Sequence, residues 1–408
     1  GFGVALPHLL PLSPARATLA RTLLAILVIY TGLSFPLRAA LKTLHGIQEM
    51  ASANLLTMLE GVLTPIVAVV LLAGGLGLVA LPLSTATAGV LVGGLAFWRL
   101  AKRHPPVRLS LANVSRGEAR ELFGWSALLW LNSLAVIVIY QTDNLVVASR
   151  LGLDAAAVYA LTTRLPLYAL PVIVVLADSC VPAAVELCAQ GRFDRLREVY
   201  VGVLRTTGAL AVGAAVVAVA INGRFVTLWV GAANDGGLWL TLSAAGILVY
   251  RVLMQTASMV ILGVGRLRGV VIMSLVEAAL NLILSLWWAQ RFGLAGVAAA
   301  TLASGLVTSG WFVTRLTGHL LSMSAWRLAW YGFGLPLVCA VPALLVVLAL
   351  RPLTASAGWL MLALLTAVIG GVYGVTTLAV GASADERTAI VQWLLRKGKG
   401  RLVAATKG

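Results

Sequence analysis

Charge is what this chain has least of. Only 11% of its 408 residues are charged, against about a quarter in an ordinary soluble domain, and 14 are acidic. A soluble globular fold of this length is therefore excluded. Cysteine is almost absent: Cys180, Cys188 and Cys339 stand in apolar runs without metal-ligand spacing, so neither a disulfide framework nor a zinc site is indicated. The four histidines, His8, His45, His104 and His319, are scattered. No nucleophile elbow, P-loop or dinucleotide fingerprint occurs, so no cofactor is expected. Large external loops are missing too. The longest outward connection, near Asn222–Gly236, is short, which weighs against the rival reading as a membrane glycosyltransferase or an O-antigen polymerase, since such enzymes generally carry a large external loop.

What remains is apolar. The chain is 60% hydrophobic with a mean hydropathy of +0.98, and windows of 18 or more apolar residues recur along it. The pattern is that of an all-α polytopic membrane protein. Eleven spans are expected, at about 17–42, 53–74, 78–100, 118–142, 155–180, 198–221, 237–262, 268–290, 294–316, 327–350 and 357–381. The net charge of +16 lies mostly between spans, which points to the lipid bilayer as partner and not to nucleic acid. Of 30 Lys and Arg, 20 fall in one alternating set of connections and 6 in the other. The positive-inside rule then sets the C-terminus in the cytoplasm. Ser115 to Glu118 and Ser383 to Glu386 read as capping boxes. Asp385–Leu395 reads as a short amphipathic helix followed by a basic tail.

The chain repeats itself. Leu44–Arg99 and Ile261–Arg315 align at an offset of about 217, pairing Gly46 with Gly263, Glu60 with Glu277, Thr64 with Asn281 and Gly75 with Gly293. Such a duplication predicts two six-helix lobes related by an axis along the membrane normal, plus two C-terminal helices. Only half of the first copy precedes the repeat, so the first three helices are expected to be absent from this chain. The organisation expected is 1–100 as the second half of the first lobe, 101–117 as a basic cytoplasmic inter-lobe loop, 118–318 as a complete second lobe, 327–381 as the final helix pair and 382–408 as a basic tail.

Charges inside spans are expensive and become candidates for function. Arg164 stands about ten residues into its span with no opposite charge one turn away. Asp143 ends the preceding expected helix, and Asp178 lies near the far end of the helix that carries Arg164. Arg251 is mid-span with Gln255 and Ser258 beyond it. Glu277 shares a helical face with Ser274, Asn281 and Ser285, and Glu60 shares one with Thr57 and Thr64. Arg38 and Lys42 stand one turn apart near a cytoplasmic end. Two readings are open for the glutamates: a functional role, or buried ion pairs of Glu277 with Arg251 and Glu60 with Arg38. Gly89 and Gly93 suggest close helix packing.

Asp143-Asn-Leu-Val-Val-Ala-Ser-Arg-Leu-Gly152, Tyr159 with Arg164, Leu228-Trp-Val-Gly231, Gly263-Val-Gly265-Arg266, and Asn281-Leu-Ile-Leu-Ser285 leading to Gly293 and Thr301 together resemble one known pattern. It is that of the polysaccharide (O-antigen type) flippases, within the multidrug/oligosaccharidyl-lipid/polysaccharide exporter superfamily. The resemblance implies two lobes around a central cavity, moving an undecaprenyl-diphosphate-linked oligosaccharide outward by alternating access, with H+ or Na+ as possible coupling ion. It implies that Arg164 and Arg251 meet the diphosphate. A multidrug or cation exporter and a lipid II flippase of the same superfamily are the alternatives, and the chain is not expected to be an enzyme.

Overall fold

The computed structural model describes residues 14–47, 49–104 and 115–381, and the described chain is helical throughout, with only short turns between helices. The N-terminal turn, most of the basic loop, the second capping box and the amphipathic tail lie outside the described residues. The helices are α1 (Pro14–Gly46), α2 (Met50–Ala73), α3 (Ala80–Arg103), α4 (Arg116–Leu151), α5 (Leu153–Ala189), α6 (Phe193–Val230), α7 (Gly237–Val264), α8 (Leu267–Leu320), α9 (Ala325–Thr354) and α10 (Trp359–Gly381). Each is long and apolar enough to cross a bilayer. Eleven spans were expected where ten helices stand, because α8 holds two of them. Its 54 residues amount to about 80 Å at 1.5 Å per residue, over twice the roughly 30 Å of a hydrocarbon core. The break falls at Gly293, whose φ of 58° and ψ of −141° suit glycine alone. Its partner in the repeat, Gly75, also has a positive φ, 82°, in the turn after α2.

The chain divides into two compact units, Gly1–Glu118 and Ala119–Gly408. In the smaller, Ala40, Leu41, Leu44, Ala53, Ala96 and Leu100 form the core. Gly89 and Gly93 let α3 approach α1 closely: a Cβ on Gly93 would lie 2.5 Å from the Cβ of Leu37. Val28, Ile29, Phe35, Met58 and Val69 are exposed, as side chains facing lipid must be.

In the larger unit α5 packs along α7, and the core gathers Ile173, Ala211, Val212, Leu248, Val252, Ala340 and Ile369. Helix α5 carries Pro166, Pro171 and Pro182. Pro166 has no N–H, so the carbonyl of Thr162 loses its helical partner. Asn222 of α6 supplies the replacement, donating from Nδ2 to Thr162 O at 2.8 Å and to Thr241 Oγ1 at 2.9 Å. The Thr162 hydroxyl in turn accepts from Gly236 N at 2.8 Å. A proline beside Arg164 thus becomes the point where α5, α6 and the following turn are tied together.

One electrostatic cluster closes the smaller unit. Glu49, between α1 and α2, accepts from Arg99 Nε at 2.9 Å and from His104 Nε2 at 3.0 Å, both at the end of α3. The bond from His104, then that from Arg99, holds the Glu49 carboxyl down from 4.5 to about 2. A depressed carboxyl stabilises the fold fully above its ordinary range and ceases to do so as pH falls through its folded value. The stability difference between the parent and Glu49→Gln is therefore expected to be constant above about pH 4.5 and to shrink between there and pH 2. Acid unfolding in detergent, followed by circular dichroism, measures it; a difference that ignores pH contradicts the assignment.

Candidate functional site

The larger unit buries a carboxylate that has no basic partner among the described residues. Asp143 is 4% exposed. It does not end its helix, as the sequence suggested: α4 continues to Leu151, because Asn144–Leu151 contains neither Pro nor Gly, and stops only at Gly152 with φ 101°. The residue therefore points into the helix bundle two turns before the end. Its Oδ2 accepts from Tyr159 Oη on α5 at 3.0 Å and from Thr301 Oγ1 on α8 at 2.8 Å. Thr301 accepts from Asn281 Nδ2 at 2.7 Å. Asn281 and Thr301 stand on opposite arms of α8, so the kink at Gly293 is what brings them together.

Magnitudes show why this arrangement is tolerable. A charge at mid-bilayer costs about 2.5–3.5 kcal/mol on insertion scales. Two hydrogen bonds to an ionised group return about 1.5–3 kcal/mol each. They occupy only one oxygen, however. Asp143 Oδ1, Asn281 Oδ1 and Ser285 Oγ are buried with no partner among the described residues. The first two belong to one network joined through Thr301, and Ser285 stands one turn beyond Asn281 on α8.

A cavity of ≈ 330 Å³ lies against the second half of α7. It is lined by α4, α7 and both arms of α8, with Tyr140, Tyr250, Arg251, Gln255, Ser274 and Glu277 among its walls. Glu277 is 3% exposed and accepts from Tyr250 Oη, 3.1 Å from each of its oxygens. The Arg251 guanidinium stacks 3.9 Å from the ring centroid of Tyr140. Of the two ion pairs weighed for the glutamates, that of Glu277 with Arg251 is not formed. The other is: Arg38 Nη2 stands 3.2 Å from Glu60 Oε1, with the arginine largely exposed. Phenols replace cations around the buried acids of the larger unit, which keeps charge out of the span while satisfying the oxygens.

The remaining candidates are on the surface. Arg164 is exposed and donates from Nε to Tyr168 Oη at 3.0 Å, and no carboxylate pairs with it among the described residues. Asp178 accepts from Gln255 Nε2 at 2.8 Å across α5 and α7. Lys42 is exposed. Asp143, Arg251 and Glu277 are brought to one region of the larger unit; Glu60, Arg38 and Lys42 belong to the smaller. Sequence reasoning missed Tyr140, Tyr250 and Glu49 altogether. Tyr159, Asn281 and Thr301 stood in the quoted motifs, and their signal was a polar residue inside an apolar run.

Taken together, the fold is that of an all-helical, multi-pass membrane protein. It matches the solved structure of the lipid II flippase MurJ in its inward closed conformation with a TM-score of 0.55, at 15% identity, over 90% of this chain and 75% of that one. At that identity the match speaks for the fold. A family model described as polysaccharide biosynthesis protein matches residues 13–235, and the chain belongs to that family. The family resemblance drawn from the motifs is thereby borne out. An uncharacterized membrane protein of Bacillus subtilis (strain 168), EpsK, is 23% identical over 243 residues, which are 58% of this chain and 48% of that one. The chain thus spans about half the length of that relative.

The Asp143 network carries its own expectation. Thr301→Val removes the hydroxyl while keeping the shape, and Tyr159→Phe removes a single donor. Each is expected to lower unfolding stability by about 1.5–3 kcal/mol, because an ionised oxygen loses a bond it cannot replace with water. Denaturant titration in detergent reads this. Losses below about 0.5 kcal/mol, the scale of an ordinary surface substitution, would contradict the network.

Proposed function

We propose that this chain is the membrane-embedded part of a transporter that flips an undecaprenyl-diphosphate-linked oligosaccharide across the bacterial cytoplasmic membrane for surface polysaccharide biosynthesis. Family membership supports a polysaccharide pathway, and the flippase fold supports movement of a lipid-linked substrate. The proposal includes two lobes that alternate access, a cytoplasmic C-terminus and a cation, Na+ or H+, coupled to the cycle. Asp143 Oδ1 and Asn281 Oδ1, joined through Thr301 and without a partner among the described residues, support the coupling ion.

The observation that carries the reading is Arg164. An arginine inside a span must find water, a partner or a ligand, and among the described residues this one has a neutral phenol and no carboxylate. Its planar fork of donors suits the oxygens of a diphosphate, where lysine would offer a point charge. Arg251, parked on the Tyr140 ring, supplies a second guanidinium with no carboxylate bound to it among the described residues.

Complementation of a strain lacking the gene tests this. Arg164→Ala is expected to abolish surface glycan while the protein remains in the membrane at the parental level. Arg164→Lys is expected to restore part of the export, since charge is kept and geometry lost. Full export by the alanine variant refutes the role.

A further inference from the structure

A second concavity, of ≈ 680 Å³, opens where α4 begins, where α7 turns into α8, and where the end of α8 passes. Nothing in the transport reading uses it. Its walls are carbon, from Gly124, Leu128, Leu267, Phe312 and Leu316. Its mouth carries three guanidiniums, of Arg120, Arg266 and Arg268, all exposed. None of them forms an ion pair among the described residues.

The sequence holds two of these cations in place. Gly265, at φ 74°, closes α7 and lets the chain reverse. Leu267 then packs on Ala257, Ile261 and Val313, anchoring the turn in the core. Arg266 and Arg268 flank that anchor and are left at the mouth.

Electrostatics makes the arrangement unfavourable unless something answers it. Arg266 caps α8 and Arg268 stands in its first turn, with no acidic residue there and no side-chain cap bond. Positive side chains beside the positive end of a helix repel it. An anion at the mouth reverses the sign of both interactions. The carbon-walled trough behind the mouth excludes a purely polar ion as the whole ligand, because its apolar walls would stay wet. The adjoining groove on the other face of the same helix shares Phe312 and Leu316, but its Arg315 is stacked on Trp311 at 5.0 Å, leaving no comparable cluster.

We infer that this groove binds an anionic phospholipid of the surrounding bilayer, with the headgroup phosphate on Arg120, Arg266 and Arg268 and an acyl chain in the trough. Arginine forks fit phosphate oxygens, basic pockets between spans take such headgroups, and the volume falls within the roughly 300–1,000 Å³ of small-molecule sites.

Native mass spectrometry of the full chain in detergent, with phosphatidylglycerol or phosphatidylcholine added, tests the inference. The parent is expected to retain one phosphatidylglycerol at activation energies that strip phosphatidylcholine. Each basic residue at an anionic surface is worth about a fivefold gain in binding. The triple variant R120Q/R266Q/R268Q is therefore expected to lose retention by more than about tenfold. Gly124→Phe keeps all three arginines and fills the trough, since a Cβ there meets open space; it is expected to show a similar loss. Should the triple variant not fold, the headgroup comparison on the parent and the Gly124→Phe variant decide the matter. Equal retention of the two lipids by the parent overturns the inference. So does parental retention by either variant, or retention of undecaprenyl diphosphate at these arginines with phosphatidylglycerol excluded.

Discussion

A carboxylate buried in an apolar bundle, with no cation paired to it among the described residues, is the constraint on which the larger unit depends. Asp143 must have donors or be expelled, and its donors come from two other helices. That requirement fixes α4 against α5 through Tyr159 and against α8 through Thr301. It also explains why α8 breaks: without the kink at Gly293, Asn281 and Thr301 could not bond to each other from opposite arms. Helix packing in a membrane gains little from the hydrophobic effect, since lipid is as apolar as leucine. Directional bonds and close glycine contacts supply what hydrophobic burial supplies in a soluble core. Asn222 capping the carbonyl freed by Pro166 and Gly93 against Leu37 are the same solution at other points.

Much of this was legible in the residues. Long apolar runs predicted the helices, and the charges stranded inside them marked Asp143, Arg164, Arg251 and Glu277. The face shared by Ser274, Glu277, Asn281 and Ser285 follows from helical spacing, and all four are buried. The glycine pairing predicted breaks at both Gly75 and Gly293. Helix ends were less legible. Hydropathy falls where polar residues begin, but a helix ends only where its backbone is forced to, so α4 outruns its apolar stretch by more than two turns to reach Gly152.

Partners were the least legible layer. Opposite charges invited pairing of Glu277 with Arg251, and the structure gives each a tyrosine instead: Tyr250 for the acid, Tyr140 for the base. Phenols read as apolar in a span, so nothing in the pattern distinguishes a core tyrosine from one that donates to a carboxylate. A pair locked together would have cancelled two charges. Keeping them apart leaves both beside one cavity, as the binding and release in the proposed transport cycle would require. Glu49 was missed for a related reason, since its partners Arg99 and His104 lie 50 and 55 residues away and meet it only through the packing of α3.

The proposed transport cycle seats its coupling cation at Asp143, and cation-dependent stability of the purified chain tests that most directly. Thermal unfolding would be compared in sodium chloride and choline chloride at equal ionic strength, across a range of pH, for the parent and for Asp143→Asn. The account predicts that sodium or protons raise the melting temperature of the parent and that the asparagine variant loses that response. A parent indifferent to both cations, or a variant that responds as the parent does, would contradict it.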